Sequence, residues 1–163
     1  MADQTAAALA TAADDIGLAA WLNEPSATVV WKTMVPVQDV FDSILWANMT
    51  PSASPDGTNL WQNRNLQCQS KQLGLQTILM GREQINASKA NIRAGLQDAL
   101  TMLPSKADGS TQNAGYTSVL ALMKRPATRA ESVLATGTGT DAVPALLVWE
   151  GNVDYGLASM IRS

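Results

Sequence analysis

Seven prolines, at positions 25, 36, 51, 55, 104, 126 and 144, set the limits on what this 163-residue chain can fold into. Proline has no backbone N–H and its ring clashes with the preceding helical turn. It is therefore confined to the first position of a helix or to turns and edges, and the residue before it avoids the α region. The longest proline-free stretch runs from residue 56 to residue 103, and the next, residues 1–24, precedes Pro25, so the longer helices are predicted in these two stretches.

Between these breaks the apolar spacing is mostly helical. Leu9, Ala13, Ile16 and Ala20 recur at four, three and four in an alanine-rich segment, which predicts a helix over 3–23 that stops before Pro25. The β-branched run 27–35 predicts a short strand or extended arm. Pro36 suits the start of a helix carrying Val37, Val40, Phe41, Ile44 and Leu45 to about residue 47, and the Pro/Ser-rich stretch 50–58 reads as a loop. Trp61, Cys68 and Leu75 fall seven apart, with Ile78 and Leu79 continuing the stripe, and predict a long helix over 59–82. Ile92, Leu96, Ala99 and Leu103 predict another over 89–103, with Ser88 as its cap. Tyr116, Val119, Leu120 and Met123 give a short helical face, Pro126 a further short helix ended by Gly137, and residues 144–149 a strand. The tail from residue 152 is an ambiguous short helix. The prediction is mainly α: a helix bundle of about six helices in a single domain over 1–163, with a short β segment or hairpin near the C-terminus. Residues 136–163 would form that extended hairpin or C-terminal arm. The first residues show no signal-peptide pattern and no apolar run approaches 18 residues, so no membrane association is predicted.

The chain contains no histidine and one cysteine. Histidine is the commonest general base and metal ligand near neutral pH, so its absence removes Ser-His-Asp and Cys-His machinery and the usual zinc sites from this chain. Cys68, in Leu66-Gln67-Cys68-Gln69, has no basic neighbour in sequence to activate it and reads as a passive thiol. Gly137-Thr138-Gly139-Thr140 fails as a phosphate loop, because a helix precedes it, no Lys-Ser/Thr follows, and a strand comes next. Asp14-Asp15 and the pair Asp39 and Asp42 read as solvated helix faces. No catalytic residue, metal site or cofactor is expected, and the chain reads as a protein other than an enzyme.

Charge is thin, 15% of residues, and laid out in blocks. Residues 1–59 hold one cation against seven carboxylates, residues 60–129 nine cations against three, and residues 130–163 one against four. Alanine (25), glutamine (10) and asparagine (9) fill much of the rest. Interfaces are depleted of charge at their centres, so such a surface suits a subunit of a larger assembly, and block polarity can orient neighbours. The interface candidates follow from this reading. Trp31 and Trp149 are large anchors in extended segments; Lys124, Arg125 and Arg129 form the densest basic patch and could meet an acidic partner; Thr138 and Thr140 lie in a loop that could touch another subunit.

Three stretches carry a resemblance: Ile92-Arg93-Ala94-Gly95-Leu96-Gln97-Asp98-Ala99, then residues 127–139 from Ala127-Thr128-Arg129 to Gly137-Thr138-Gly139, then Pro144-Ala145 to Trp149-Glu150-Gly151. With Trp31-Lys32-Thr33, they resemble the small structural proteins of tailed bacteriophages, among them the head–tail connectors, or adaptors, of the neck. The resemblance implies a homo-oligomeric ring, commonly of twelve copies, beneath the portal protein. It implies contacts with the portal and with tail or neck proteins, and a lumen through which genomic DNA passes without sequence-specific binding. It implies a place in the virion neck after assembly in the host cytoplasm. A lumen that passes DNA should avoid cationic walls, so the acidic N-terminal third or the Gln/Asn faces are expected to line it. The chain is longer than the smallest adaptors and has the additional Pro/Ser loop at 50–58. A capsid decoration or tail-completion protein, and a small intracellular nucleic-acid-associated protein, remain alternative readings.

Overall fold

The computed structural model describes residues 6–51 and 61–162, so most of the loop expected at 50–58 lies outside the described residues. In chain order the elements are α1 (Ala6–Thr11), α2 (Asp15–Asn23), β1 (Pro25–Trp31), β2 (Val35–Pro36), α3 (Val37–Asp42), a 3-10 helix (Trp46–Met49), α4 (Trp61–Leu79), β3 (Gln84–Ile85), α5 (Ala90–Leu100), α6 (Tyr116–Leu122), β4 (Lys124–Thr128), α7 (Arg129–Leu134) and α8 (Tyr155–Arg162). The fold is mainly α. The described residues hold eight α-helices where about six were expected. Part of the difference is that the segment read as one helix over 3–23 is two. Ala13 adopts φ 54, and the Asp14 carboxylate accepts a 2.8 Å hydrogen bond from the Gly17 N–H, starting α2 afresh. The turn rotates the apolar face, so Leu9, Leu18 and Ala19 are buried while Ile16 is exposed.

The chain divides into two compact units. The first comprises residues 1–31 and 124–163. Here β1 and β4 pair antiparallel, with Val29 opposite Pro126, Val30 opposite Arg125 and Trp31 opposite Lys124. The helix expected to begin at Pro126 does not form there. Residues 124–128 are strand, and α7 begins only after Thr128, whose hydroxyl accepts from the Glu131 N–H while the Glu131 carboxylate accepts from the Thr128 N–H. This reciprocal capping box fixes the start of α7. Beyond α7, Gly137 (φ 113) and Gly139 (φ 70) turn the chain back. Thr136 and Leu146 exchange both backbone hydrogen bonds, and Ala145 forms a parallel bridge with Val30. The expected strand over 144–149 is thus reduced to isolated bridges. Leu9, Leu18, Ala19, Val153 and Ala158 form one buried cluster, Val30, Ala127 and Ala145 another. Asn23 ties α2 to the segment before α8 through two hydrogen bonds with the Val153 backbone, at 2.7 and 2.8 Å.

The second unit runs from Lys32 to Met123. Its longest element, α4, buries Cys68, Leu75 and Leu79 of the stripe read from the sequence, leaves Trp61 exposed and Ile78 half-buried, and packs on α5, which buries Leu96, Ala99 and Leu100. Ser88 does not cap α5; Lys89 holds that position without a side-chain bond, and the Ser88 hydroxyl instead donates to the Asn86 side chain. Burial pushes the Cys68 thiol up, against the pull of Arg64 and Lys71. The ends of this unit lie side by side, the Lys32 N–H donating to the Met123 carbonyl at 2.8 Å. The second unit is therefore an insertion between the paired strands β1 and β4 of the first.

Candidate interaction surface

The basic patch read from the sequence is occupied within its own unit. Arg125, on β4, makes a two-pronged pair with Glu131, at 2.7 and 2.8 Å, and reaches Glu150 at 2.8 Å with the same guanidinium. Arg129 stacks over the Trp21 ring, 4.3 Å from its centroid, and pairs with Glu24 at 2.9 Å. Lys124 donates to the Asp141 carbonyl at 2.6 Å and lies 3.3 Å from its carboxylate. These cations knit α2, β4, α7 and the segment after the glycine turn together. Thr138 and Thr140 lie on that turn, and the Thr140 hydroxyl accepts from the Val143 N–H at 3.1 Å. Trp31 is half-buried at the end of β1, and Trp149 is half-buried against the cluster built on Leu9 and Leu18.

The centre of this network is Glu131, which is 2% exposed. Its carboxylate accepts from both Arg125 nitrogens, from the Thr128 N–H at 2.9 Å and from the Gly151 N–H at 3.3 Å. Burial alone would push this carboxyl up. The Arg125 guanidinium and the two backbone donors outweigh it and hold the group below the usual carboxylate range. A single side chain thus closes the first turn of α7, fixes the strand before it, and anchors the chain at Gly151 on its way to α8.

Behind that anchor is an apolar groove of about 470 Å³. Leu22 of α2 and Ala130, Val133 and Leu134 of α7 form one side, Trp149 and Val153 line the connecting segment, and Leu157 and Ile161 of α8 form the other. Among the described residues no charged side chain lines it. No protein family, curated protein or solved structure matches the chain. The groove therefore has to be read from its own chemistry.

Its volume lies within the roughly 300–1,000 Å³ of sites that accept a ligand or several side chains. A lining of aliphatic side chains and one indole offers area and shape, and its natural occupant is another apolar surface. In the same segments of the chain Val143, Leu146, Val148, Tyr155 and Met160 are exposed as well. Large exposed apolar patches on a folded chain mark interaction sites. Of the residues singled out from the sequence, only Trp149 lines the groove; Trp31, Lys124, Arg125, Arg129, Thr138 and Thr140 do not. The residues missed were Val133 and Leu134 on α7 and Leu157 and Ile161 on α8. The four-residue spacing of Leu157 and Ile161 was the available signal for the α8 wall.

A second concavity lies in the other unit, about 280 Å³, lined by the stacked rings of Phe41 and Trp46 and by Gln72, Leu75 and Gln76. Among the described residues no three His, Cys, Asp or Glu side chains converge on a point, and no helix is long and apolar enough to cross a membrane.

Proposed function

We propose that this chain is a non-enzymatic structural subunit that assembles with copies of itself: a head–tail connector of a tailed bacteriophage, forming a ring beneath the portal in the virion neck. The observation that carries the reading is the apolar groove between α7 and α8, with exposed apolar side chains beside it on a unit whose basic patch is neutralised internally. Such a surface gains by being covered, and the gain scales with the apolar area removed from water. In this reading the helices pack as a bundle around a channel for DNA, and the exposed side chains of residues 136–163 meet a neighbour or the portal while Ala145, Val153 and Ala158 stay packed in their own unit. The internal pairing of Lys124, Arg125 and Arg129 removes the densest basic patch from what the unit offers to passing DNA.

The test is the mass of the purified chain, alone and mixed with portal protein, by light scattering after size exclusion. A ring of about twelve copies of 17.2 kDa, or about 200 kDa, is the expected species. Particle fractionation separates this reading from a decoration protein, which would follow the shell in hundreds of copies. A chain that stays monomeric and never enters a particle would overturn the reading.

A further inference from the structure

The groove has a counterpart on the same unit. Along 146–149 the side chains alternate: Leu147 packs against the cluster of Val30, Ala127 and Ala145, and Trp149 packs into the other core. Leu146 and Val148 point out, 43% and 72% exposed. This stretch, bent at Val148, turns Leu147 and Trp149 inward, Trp149 into the groove wall, and leaves Leu146 and Val148 as an apolar ridge. Hollow and ridge are different surfaces of one unit. A contact between them brings two different patches together, either reciprocally in a closed pair or from copy to copy in a ring.

We propose that the groove receives the Leu146 and Val148 ridge of a second copy of this chain. The proposal rests on the assembly reading above and names its contact. Area supports a second copy as the occupant. Val133 is 81% exposed and Ile161 61%. With Leu134 and Leu157 on the groove side and Val143, Leu146 and Val148 on the ridge side, they offer roughly 700 Å² of apolar surface, close to the ~900 Å² in an interface of standard size. Charge agrees, since the neighbouring cations already have carboxylate partners within the unit and the contact needs none from outside.

The test is site-directed cross-linking in the full chain, in a Cys68→Ser background. Val133→Cys marks the groove and Val148→Cys the ridge; both positions are exposed, so neither substitution disturbs the core. Copper-phenanthroline oxidation of the two variants mixed together is expected to give a covalent dimer at least fivefold above either variant alone. Equal cross-linking by Val133→Cys on its own would show groove meeting groove and overturn the proposal. No cross-linking in the mixture would overturn it as well. The unmodified protein's mass then separates the two failures: a large assembly without this cross-link retains the ring reading with another contact, whereas a monomer removes both.

Discussion

Replacing Glu131 by glutamine should cost far more than the loss of one surface charge. The carboxylate is 2% exposed and accepts four hydrogen bonds, two of them from Arg125. A glutamine side chain would keep the shape but has one acceptor oxygen in place of two, and its amide N–H₂ would face donors. Removing one partner of a buried ion pair costs about 3–5 kcal/mol. Arg125 is about one-quarter exposed and keeps Glu150, so the figure is discounted to about 2–3 kcal/mol. For a chain of this length that is a fall of about 5–10 °C in Tm. Glu150→Gln is the internal control. It removes a partly exposed carboxylate from the same guanidinium and should cost under about 1 kcal/mol. The assay is thermal and urea denaturation followed by tryptophan fluorescence, with hydrogen exchange to locate the change. Protection should fall over residues 124–154 and hold over α4 and α5. A Glu131→Gln shift no larger than that of Glu150→Gln, or a loss of protection centred on α4, would refute the argument that burial makes this network matter.

The same group sets an acid limb. Because its folded pKa lies below the usual carboxylate value, its stabilisation is complete above the unfolded value, about 4.3, and is lost as pH falls through the folded one. Glu131→Gln should flatten the acid limb that sets in as pH falls below about 5, read by Tm against pH. Gly115 has φ 84, and a Cβ there would meet the Ser43 carbonyl oxygen far inside contact distance. Gly115→Ala should therefore lose about 2 kcal/mol or more in urea titration, combining a left-handed backbone with a backbone clash. Finally, Trp31 and Lys124 are paired residues at the ends of β1 and β4. Replacing residues 32–123 by Asn-Gly should close a two-residue hairpin and leave the first unit folded, with near-native circular dichroism for its helices; an unfolded product would show that the unit depends on its insertion.

What could be read from the sequence follows from how local each feature is. Cys68, Leu75 and Leu79 of the stripe that was read from Trp61 onward were legible because they repeat over a long proline-free helix, whereas Trp61, at its first turn, is exposed; α5 was legible likewise through Leu96 and Ala99. The break at Ala13 was not, because alanine fits both faces of a helix and gives the periodicity nothing to contradict. β4 was missed because Lys-Arg-Pro-Ala-Thr has no strand pattern of its own; its conformation comes from pairing with β1, nearly a hundred residues earlier. The basic patch was visible as charge, yet its partners are set by the strand-to-helix corner at Thr128 and by the return of the chain at Glu150. The Thr128 to Glu131 spacing was the one local sign of that corner. The groove needs α2, α7 and α8 together, and no window of sequence contains all three.

The insertion between β1 and β4 also imposes a schedule on synthesis. When Trp31 leaves the ribosome its strand partner does not exist, and 92 residues, from Lys32 to Met123, have to be made before Lys124 appears. At about 5–20 residues per second that delay is roughly 5–20 s, during which the continuous inner unit can complete itself while the N-terminal segment waits, its apolar side chains still in water. The groove is completed only when α8 arrives, long after α2 has been made. A chain built this way has no complete groove until α8 has cleared the ribosome, so the apolar walls on α2 and α7 wait for their third side through nearly all of synthesis.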